Sequence, residues 1–233
     1  MDYRFDVALS VDISRQSRTV MAILSMDPAQ CYDRVNHVFM AMLWIIFTRN
    51  IMVAFVILSC LQTMEFYQRT GYGDSQDCFG IVSCLLAWMG LGQGSRDASH
   101  SWVQLSSLIV NVMKKTGHVA EIRNPITGDE IKSVGSLFVD DANIFVYGDR
   151  KKYRSAEELH DKVNATGKAL VYLLRATGGA LKPVKCFWWL ADYRCENGQW
   201  EYEDTKGLDI EILGDNNKMT NVKSLGPREE KGL

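Results

Sequence analysis

Three aspartates in the sequence stand next to strongly apolar stretches. Residues 18–25 (RTVMAILS) lead to Asp27, and Asp140 and Asp141 lie side by side between two apolar runs. Adjacent carboxylates repel each other, and partial burial raises that cost. Mg²⁺ or Mn²⁺ relieves the repulsion, because both ions prefer hard oxygen ligands. Three carboxylates converging from two strands can hold two such ions about 3.5–4 Å apart, as phosphoryl or nucleotidyl transfer requires.

The same residues allow a plainer interpretation, a surface hairpin whose turn happens to contain aspartates, since Asp is common in turns. The elements around the aspartates must therefore be considered. Residues 18–25 predict a buried strand, and residues 133–147 (SVGSLFVDDANIFVY) predict a strand, a tight turn and a second strand. The other predicted elements are helices over residues 31–47, 51–68 and between Gly94 and Gly117, a helix that stops at Gly178-Gly179, a hairpin at Asn197-Gly198 and a strand over residues 208–213.

This order of elements predicts one α+β domain over residues 1–233, with poorly ordered ends at residues 1–17 and 214–233. Residues 38–47 and 51–61 are apolar enough to suggest a membrane segment. Each is too short to span a bilayer, and Thr48, Arg49 and Asn50 separate them. We therefore expect two helices buried in the core and no membrane partner.

The composition excludes several classes of protein. With 233 residues, 47% hydrophobic, the chain is neither disordered nor collagen-like. Its 26 Lys+Arg and 28 Asp+Glu give a net charge of −2, whereas a free-standing nucleic-acid-binding domain is usually basic. Six cysteines without CxxC spacing argue against a zinc ribbon, and no signal peptide is evident. We expect reduced, buried cysteines and an intracellular location, nucleus or cytoplasm.

Four segments resemble, in order, the motifs of one polymerase family. They are residues 27–34 (DPAQCYDR), an aspartate followed five residues later by an aromatic; 90–95 (GLGQGS), a glycine–glutamine loop opening a helix; 138–141 (FVDD), an aromatic-x-Asp-Asp turn; and 178–186 (GGALKPVKC), a glycine turn followed by a strand-entry lysine. Leu225-Gly226 stands where a fifth, leucine–glycine motif would come. Over residues 10–226 the chain thus resembles the reverse transcriptase domains of transposable elements.

The resemblance implies a polymerase palm-like α+β fold, with an antiparallel sheet and helices packed on one face. It also implies RNA-directed DNA polymerase activity with two Mg²⁺ or Mn²⁺ ions, an RNA/DNA template-primer and deoxynucleoside triphosphates. Asp27 and Asp140 would bind both ions and Asp141 would assist. One ion would lower the pKa of the primer 3′-hydroxyl, and the other would steady the triphosphate and the pyrophosphate leaving group.

The resemblance assigns roles to further residues. Tyr32 would lie under the incoming sugar and exclude a 2′-hydroxyl. Gly92, Gln93 and Gly94 would lie beside the nascent base pair, and Lys185 would protonate pyrophosphate or neutralise phosphate charge. These residues also have plainer structural interpretations. Tyr32 would be a buried aromatic, the glycine–glutamine segment an ordinary helix-entry loop, and Lys185 a solvated lysine at a strand edge.

The sequence departs from the family at Pro28, His100 and Ala142, and none of these removes a metal ligand. Only 26 residues precede Asp27 and the chain stops near the fifth motif, so we expect most of the fingers and the whole thumb to be absent. Primer extension by this chain alone should then be slight. Two alternatives remain: a truncated or catalytically dead remnant that binds nucleic acid or protein, and an unrelated α+β enzyme acting on another phosphoryl substrate.

Overall fold

The computed structural model describes residues 3–17, 19–65, 67–77, 90–91, 96–123, 127–138, 141–148, 156–203, 205 and 207–225. The chain divides into two compact units. Met1–Ala29 and Ser107–Leu233 form the first, and Gln30–Ser106 form the second. The chain passes between the two units after Ala29 and after Ser106, and no Pro/Ser-rich linker lies at either point. The sequence therefore predicts a single domain and gives no sign of this division.

Five α-helices and twelve strands lie within the described residues. The helices are α1 (Tyr3–Ser17), α2 (His37–Thr48), α3 (Ile51–Gln62), α4 (Arg96–Lys115) and α5 (Ala156–Ala176). The strands are β1 (Val20–Met26), β2 (Arg69–Thr70), β3 (Gly73–Asp74), β4 (Ala120–Arg123), β5 (Glu130–Ser133), β6 (Gly135–Phe138), β7 (Asp141–Gly148), β8 (Phe187–Ala191), β9 (Tyr193–Glu196), β10 (Gln199–Tyr202), β11 (Ile210–Leu213) and β12 (Met219–Ser224). A short 3₁₀ turn covers Pro183–Lys185. The chain is thus α+β, as predicted.

The main sheet of the first unit has the strand order β11-β12-β8-β1-β7-β6. β1 pairs antiparallel with β7 on one side and β8 on the other, while β12 pairs parallel with β8. Every β1 residue except Ser25 is buried. A continuous apolar run, rather than an alternating one, is typical of a strand covered on both faces, and the predicted buried strand at residues 18–25 is confirmed.

Helices cover both faces of this sheet, which differs from the prediction of helices on one face. Met21 and Ile23 pack in a cluster with Val7 of α1. On the other face, the side chains of Leu24 and Met26 approach Gly167 of α5. Successive side chains of a strand point to opposite faces, so α1 and α5 lie on opposite sides of β1.

The two ends of the chain also differ from expectation, because residues 3–17 form α1 and Met219–Ser224 form β12. Seven of the fifteen residues of α1 are apolar, but they alternate with polar residues along much of the helix and do not form a clear helical stripe in the sequence. The strand β12 has only two apolar residues, Met219 and Val222, and its pairing with the distant β8 has no local sequence signal.

Turn chemistry made other elements predictable. α5 ends at Ala176, where the Gly178 N–H donates to the Arg175 carbonyl and the Gly179 N–H donates to the Leu174 carbonyl. These two bonds define a Schellman motif, and Gly178 supplies its positive φ of 94°. Asn197 and Gly198 connect β9 and β10 with positive φ at both residues. Both predictions are confirmed.

In the second unit, α2 and α3 form where two helices were predicted, but with less burial. The side chain of Asn36 caps α2 by accepting from the Val38 and Phe39 N–H groups, so residues 31–34 form a turn rather than helix. Among the residues of α3 only Ala54 is buried, and Phe55 is 63% exposed. The prediction of two buried core helices is therefore wrong for α3, since apolar composition does not specify a covering partner.

None of the described helices is both long enough and apolar enough to cross a bilayer.

We predict that Gly135→Ala destabilises the first unit. Gly135 pairs with Ile144 of β7 at φ +141°, and a Cβ built there would lie 2.0 Å from the carbonyl oxygen of Asn143. Backbone strain and overlap with a fixed strand should together lower the free energy of unfolding by about 2–4 kcal/mol. Urea unfolding followed by far-UV circular dichroism measures the change.

Gly71→Ala is the matched control, because a Cβ there meets nothing within 4 Å. Its unfolding midpoint should stay near that of the wild type. Equal midpoints for Gly135→Ala and the wild type would contradict the β6–β7 register.

Candidate functional site

The end of β1 and the start of β7 lie at the same edge of the main sheet. The antiparallel register pairs Val20 with Gly148 and runs to Met26 opposite Ala142. One residue beyond that pair, Asp27 follows β1 and Asp141 begins β7. Side chains of opposite residues in such a ladder have Cβ atoms about 4.5–5.5 Å apart. The fold therefore brings two of the predicted carboxylates, 114 positions apart in sequence, to neighbouring strand ends.

Asp140, the other predicted ligand of both ions, lies outside the described residues, so its convergence with Asp27 stays a prediction. Asp141 is exposed and its backbone pairs with Phe138 of β6, which confirms the two strands predicted on either side of the aspartate pair. Within the part of the chain that the structure describes, no three His, Cys, Asp or Glu side chains are grouped as metal ligands.

The connection between α5 and β8 binds Asp27 from both sides of its backbone. The Lys182 N–H donates to the Asp27 carbonyl at 2.9 Å, and the Asp27 N–H donates to the Cys186 Sγ at 3.3 Å. Farther along, the Ala29 N–H donates to the Ala180 carbonyl at 2.8 Å. The predicted motif around Lys185 is thus fixed against the residue that ends β1.

Pro28 fits this arrangement without loss of a ladder bond. It forms an isolated antiparallel bridge with Leu181, and the flanking bonds use the Asp27 carbonyl and the Ala29 N–H. Proline has no N–H to donate, and the ladder requires none from this residue. The departure from the family pattern at this position is therefore structurally neutral.

The ammonium of Lys185 forms an ion pair with Asp27. Its Nζ lies 3.1 Å from the Asp27 Oδ2, and the two side chains are 58% and 24% exposed. The 3₁₀ turn positions this lysine, because the Lys185 N–H donates to the Lys182 carbonyl. Lys185 is therefore exposed, as expected for a solvated lysine at a strand edge. It also contacts Asp27, a residue of the predicted site.

Cys186 contributes a buried thiol beneath Asp27. Burial, followed by the nearby Asp27 charge, raises the pKa of Cys186 to about 11. The thiol donates to the Lys182 carbonyl at 3.4 Å and accepts from the Asp27 N–H. A raised pKa leaves less thiolate at neutral pH, and the contact that the structure shows for this thiol is with the Asp27 backbone.

Tyr32 belongs to the second unit, where it lies beside the start of the glycine–glutamine segment. The Leu91 N–H donates to the Tyr32 carbonyl at 2.9 Å, and the Gly90 N–H donates to the Val35 carbonyl at 2.8 Å. Gly90 has a φ of +99°, and a Cβ there would lie 3.4 Å from the Asp33 carbonyl oxygen. Two predicted motifs, with Tyr32 and Leu91 59 positions apart, are thus joined through the backbone. Gly92, Gln93 and Gly94 lie outside the described residues.

The ring of Tyr32 is half-buried and contacts Trp102 of α4 edge-on. The ring centroids are 6.1 Å apart, with an interplanar angle of 62°. Edge-to-face pairs of this kind add a modest stabilisation beyond the buried area. Tyr32 is therefore half-buried rather than fully buried, and its contact with the incoming sugar stays a prediction.

Two contributions were missed in the sequence. The thiol of Cys186 and the backbone N–H of Lys182 together hold the main chain of Asp27, although neither was assigned a role. The position of Cys186, directly after Lys185 at the entry of a strand, was the available signal. Within the second unit, His37 contacts the carbonyl of Gly90 through its Nε2.

Comparison with known proteins identifies no relative: no family model matches the sequence, and no curated protein matches it.

We predict that Cys186 alkylates far more slowly than exposed Cys60. With a pKa raised from 9.0 to about 11, Cys186 has about a hundredfold less thiolate at pH 8 than an unperturbed thiol, and its rate should rise as the pH approaches 11. Site-resolved mass spectrometry after iodoacetamide treatment measures both rates. In urea the two should react alike, and equal rates in the folded protein at pH 8 would contradict the buried thiol.

Proposed function

We propose that the chain is the palm region of an RNA-directed DNA polymerase that performs template-directed nucleotidyl transfer. The observation that carries the proposal is the common sheet edge of β1 and β7, where Asp27 and Asp141 lie on adjacent strand ends with Lys185 beside them. The four motifs that resemble reverse transcriptases supply the reaction class. No comparison with known proteins adds to this support.

The donor set at this edge suits a divalent cation such as Mg²⁺ or Mn²⁺. Carboxylate oxygens are the hard ligands that both ions prefer. The Asp27 side chain is 24% exposed, so it is accessible to an ion from solvent, and Asp141 is exposed as well. Asp27, Asp141 and the adjacent Asp140 would hold the ions.

When bound, such ions supply Lewis acidity at the primer hydroxyl and neutralise phosphate charge. The chain's own residues do the positioning. β1 and β7 fix the carboxylates, and the contacts of Lys182 and Cys186 with the Asp27 backbone keep that residue from moving. Lys185 brings a positive charge for the phosphates of the incoming nucleotide or for the departing pyrophosphate.

The resemblance assigns nucleotide selection to Tyr32, whose ring would exclude a 2′-hydroxyl by contact. Within the second unit this ring packs edge-on against Trp102. Gly92, Gln93 and Gly94 follow directly after Leu91, whose backbone is bonded to Tyr32. This connection supports a shared role for the two segments in contacting the nucleotide.

We predict weak Mn²⁺ binding by the purified chain that depends on its aspartates. Asp27→Asn, Asp140→Asn and Asp141→Asn should each weaken binding, by roughly tenfold or more for Asp27→Asn, because a charged ligand is lost. Loss of the free Mn²⁺ signal in electron paramagnetic resonance reports the bound fraction. Asp161→Asn is the matched control, since that side chain on α5 is 94% exposed. Equal affinities in all five proteins would contradict the proposed site.

Activity is tested separately on a poly(rA)/oligo(dT) template-primer with Mn²⁺ or Mg²⁺. Extension should be slight and should disappear in Asp27→Asn while remaining in Asp161→Asn. Template-primer binding that is unchanged by Asp140→Asn and Asp141→Asn, without any extension, would favour a non-catalytic binding module instead.

A further inference from the structure

The ion pair between Lys185 and Asp27 occupies a carboxylate that the proposed function assigns to a metal ion. The Lys185 Nζ lies 3.1 Å from the Asp27 Oδ2, within hydrogen-bonding distance for a charged pair. A carboxylate at the end of a buried strand is stabilised by such a partner, since desolvation penalises an uncompensated charge. The lysine thus satisfies the same charge requirement that a divalent cation would satisfy.

The position of the Lys185 backbone is set by contacts on both sides of Asp27. Lys182 donates to the Asp27 carbonyl and Cys186 accepts from the Asp27 N–H, while Lys185 lies between them in the 3₁₀ turn. The Cys186 N–H closes the turn by donating to the Pro183 carbonyl at 3.0 Å. The lysine backbone therefore stays beside Asp27, and only its long side chain is able to move away.

A cation bound to Asp27 and the ammonium of Lys185 oppose each other. Mg²⁺ binds carboxylate oxygens at about 2.0–2.1 Å. An ammonium that stayed 3.1 Å from the same oxygen would lie within roughly 5 Å of the ion, where two positive charges repel. The 58% exposure of the Lys185 side chain leaves it room to leave the carboxylate without disturbing buried residues.

We propose that Lys185 is the resident counter-ion of Asp27 and competes with divalent cations for its carboxylate. Binding of a divalent ion releases the ammonium, which then becomes available to an anionic group such as phosphate. This inference rests on the proposed function, because it requires Asp27 to bind metal. It assigns to Lys185 a role before the reaction, which is to set the affinity of the site for metal. This role is separate from protonation of a leaving group.

The first test measures Mn²⁺ affinity by electron paramagnetic resonance in the full chain, with far-UV circular dichroism as a check on folding. Lys185→Gln should bind Mn²⁺ about two- to fivefold more tightly than the wild type, the range expected from loss of a partly exposed ion pair. Lys185→Arg, which keeps the charge, should bind like the wild type. Lys182→Gln is the control on the same segment and should also leave the affinity unchanged.

The second test follows the amine itself. Acetylation of lysines, read by site-resolved mass spectrometry, should become faster at Lys185 when Mn²⁺ is added and stay constant at Lys182. In Asp27→Asn the Lys185 amine should react at the faster rate without Mn²⁺, because its partner is no longer charged.

The outcomes separate this inference from the proposed function. If Asp27→Asn loses Mn²⁺ but Lys185→Gln binds no more tightly than the wild type, the competition is refuted and the metal site stands. If Lys182→Gln tightens binding as much as Lys185→Gln, the effect comes from general positive charge and the inference is equally refuted. If neither the wild type nor Lys185→Gln binds Mn²⁺ at millimolar concentration, the metal site fails and the inference fails with it.

Discussion

The burial of β1 on both faces is the constraint on which the rest of the first unit depends. A strand between two helix layers must pair with neighbours on both edges, because its backbone groups have no access to water. Its partners β7 and β8 come from distant parts of the sequence, and the register with each is fixed by the buried side chains. If the register slipped by one residue, Met21 and Ile23 would move to the face covered by α5. Leu24 and Met26 would move to the face covered by α1.

The candidate site follows from where this buried strand stops. Asp27 is the first residue beyond β1, so its carboxylate emerges at the edge of the sheet where burial gives way to solvent. The β7 register brings Asp141 to the same edge, and the β8 register brings the segment of Lys185 and Cys186. The placement of Asp27, Asp141 and Lys185 is therefore a consequence of two strand pairings.

Sequence reasoning succeeded where the information was local. The all-apolar run of β1, the two glycines after α5 and the Asn197-Gly198 turn each specify their structure within a few residues. It failed where structure depends on distant partners: α1 on the second face of the sheet, the parallel pairing of β12 with β8, and the exposure of α3. At the site, the aspartates and Lys185 were identified by type and order, whereas their ion pair and the thiol contact required coordinates.

The near-neutral net charge of −2 argued mildly against a nucleic-acid partner, and the fold changes the weight of that argument. A phosphate chain responds to nearby charges, whereas net charge sums over the whole surface. Ser25 of β1 and Lys223 of β12 both pair in register with Phe187, so Lys223 lies at the same end of the sheet as Asp27. Lys182 and Lys185 belong to this end too, and all three lysines are exposed. Three lysines thus lie at the end of the sheet where Asp27 lies, and because Lys185 is paired with Asp27, its availability to phosphate depends on what else binds that carboxylate.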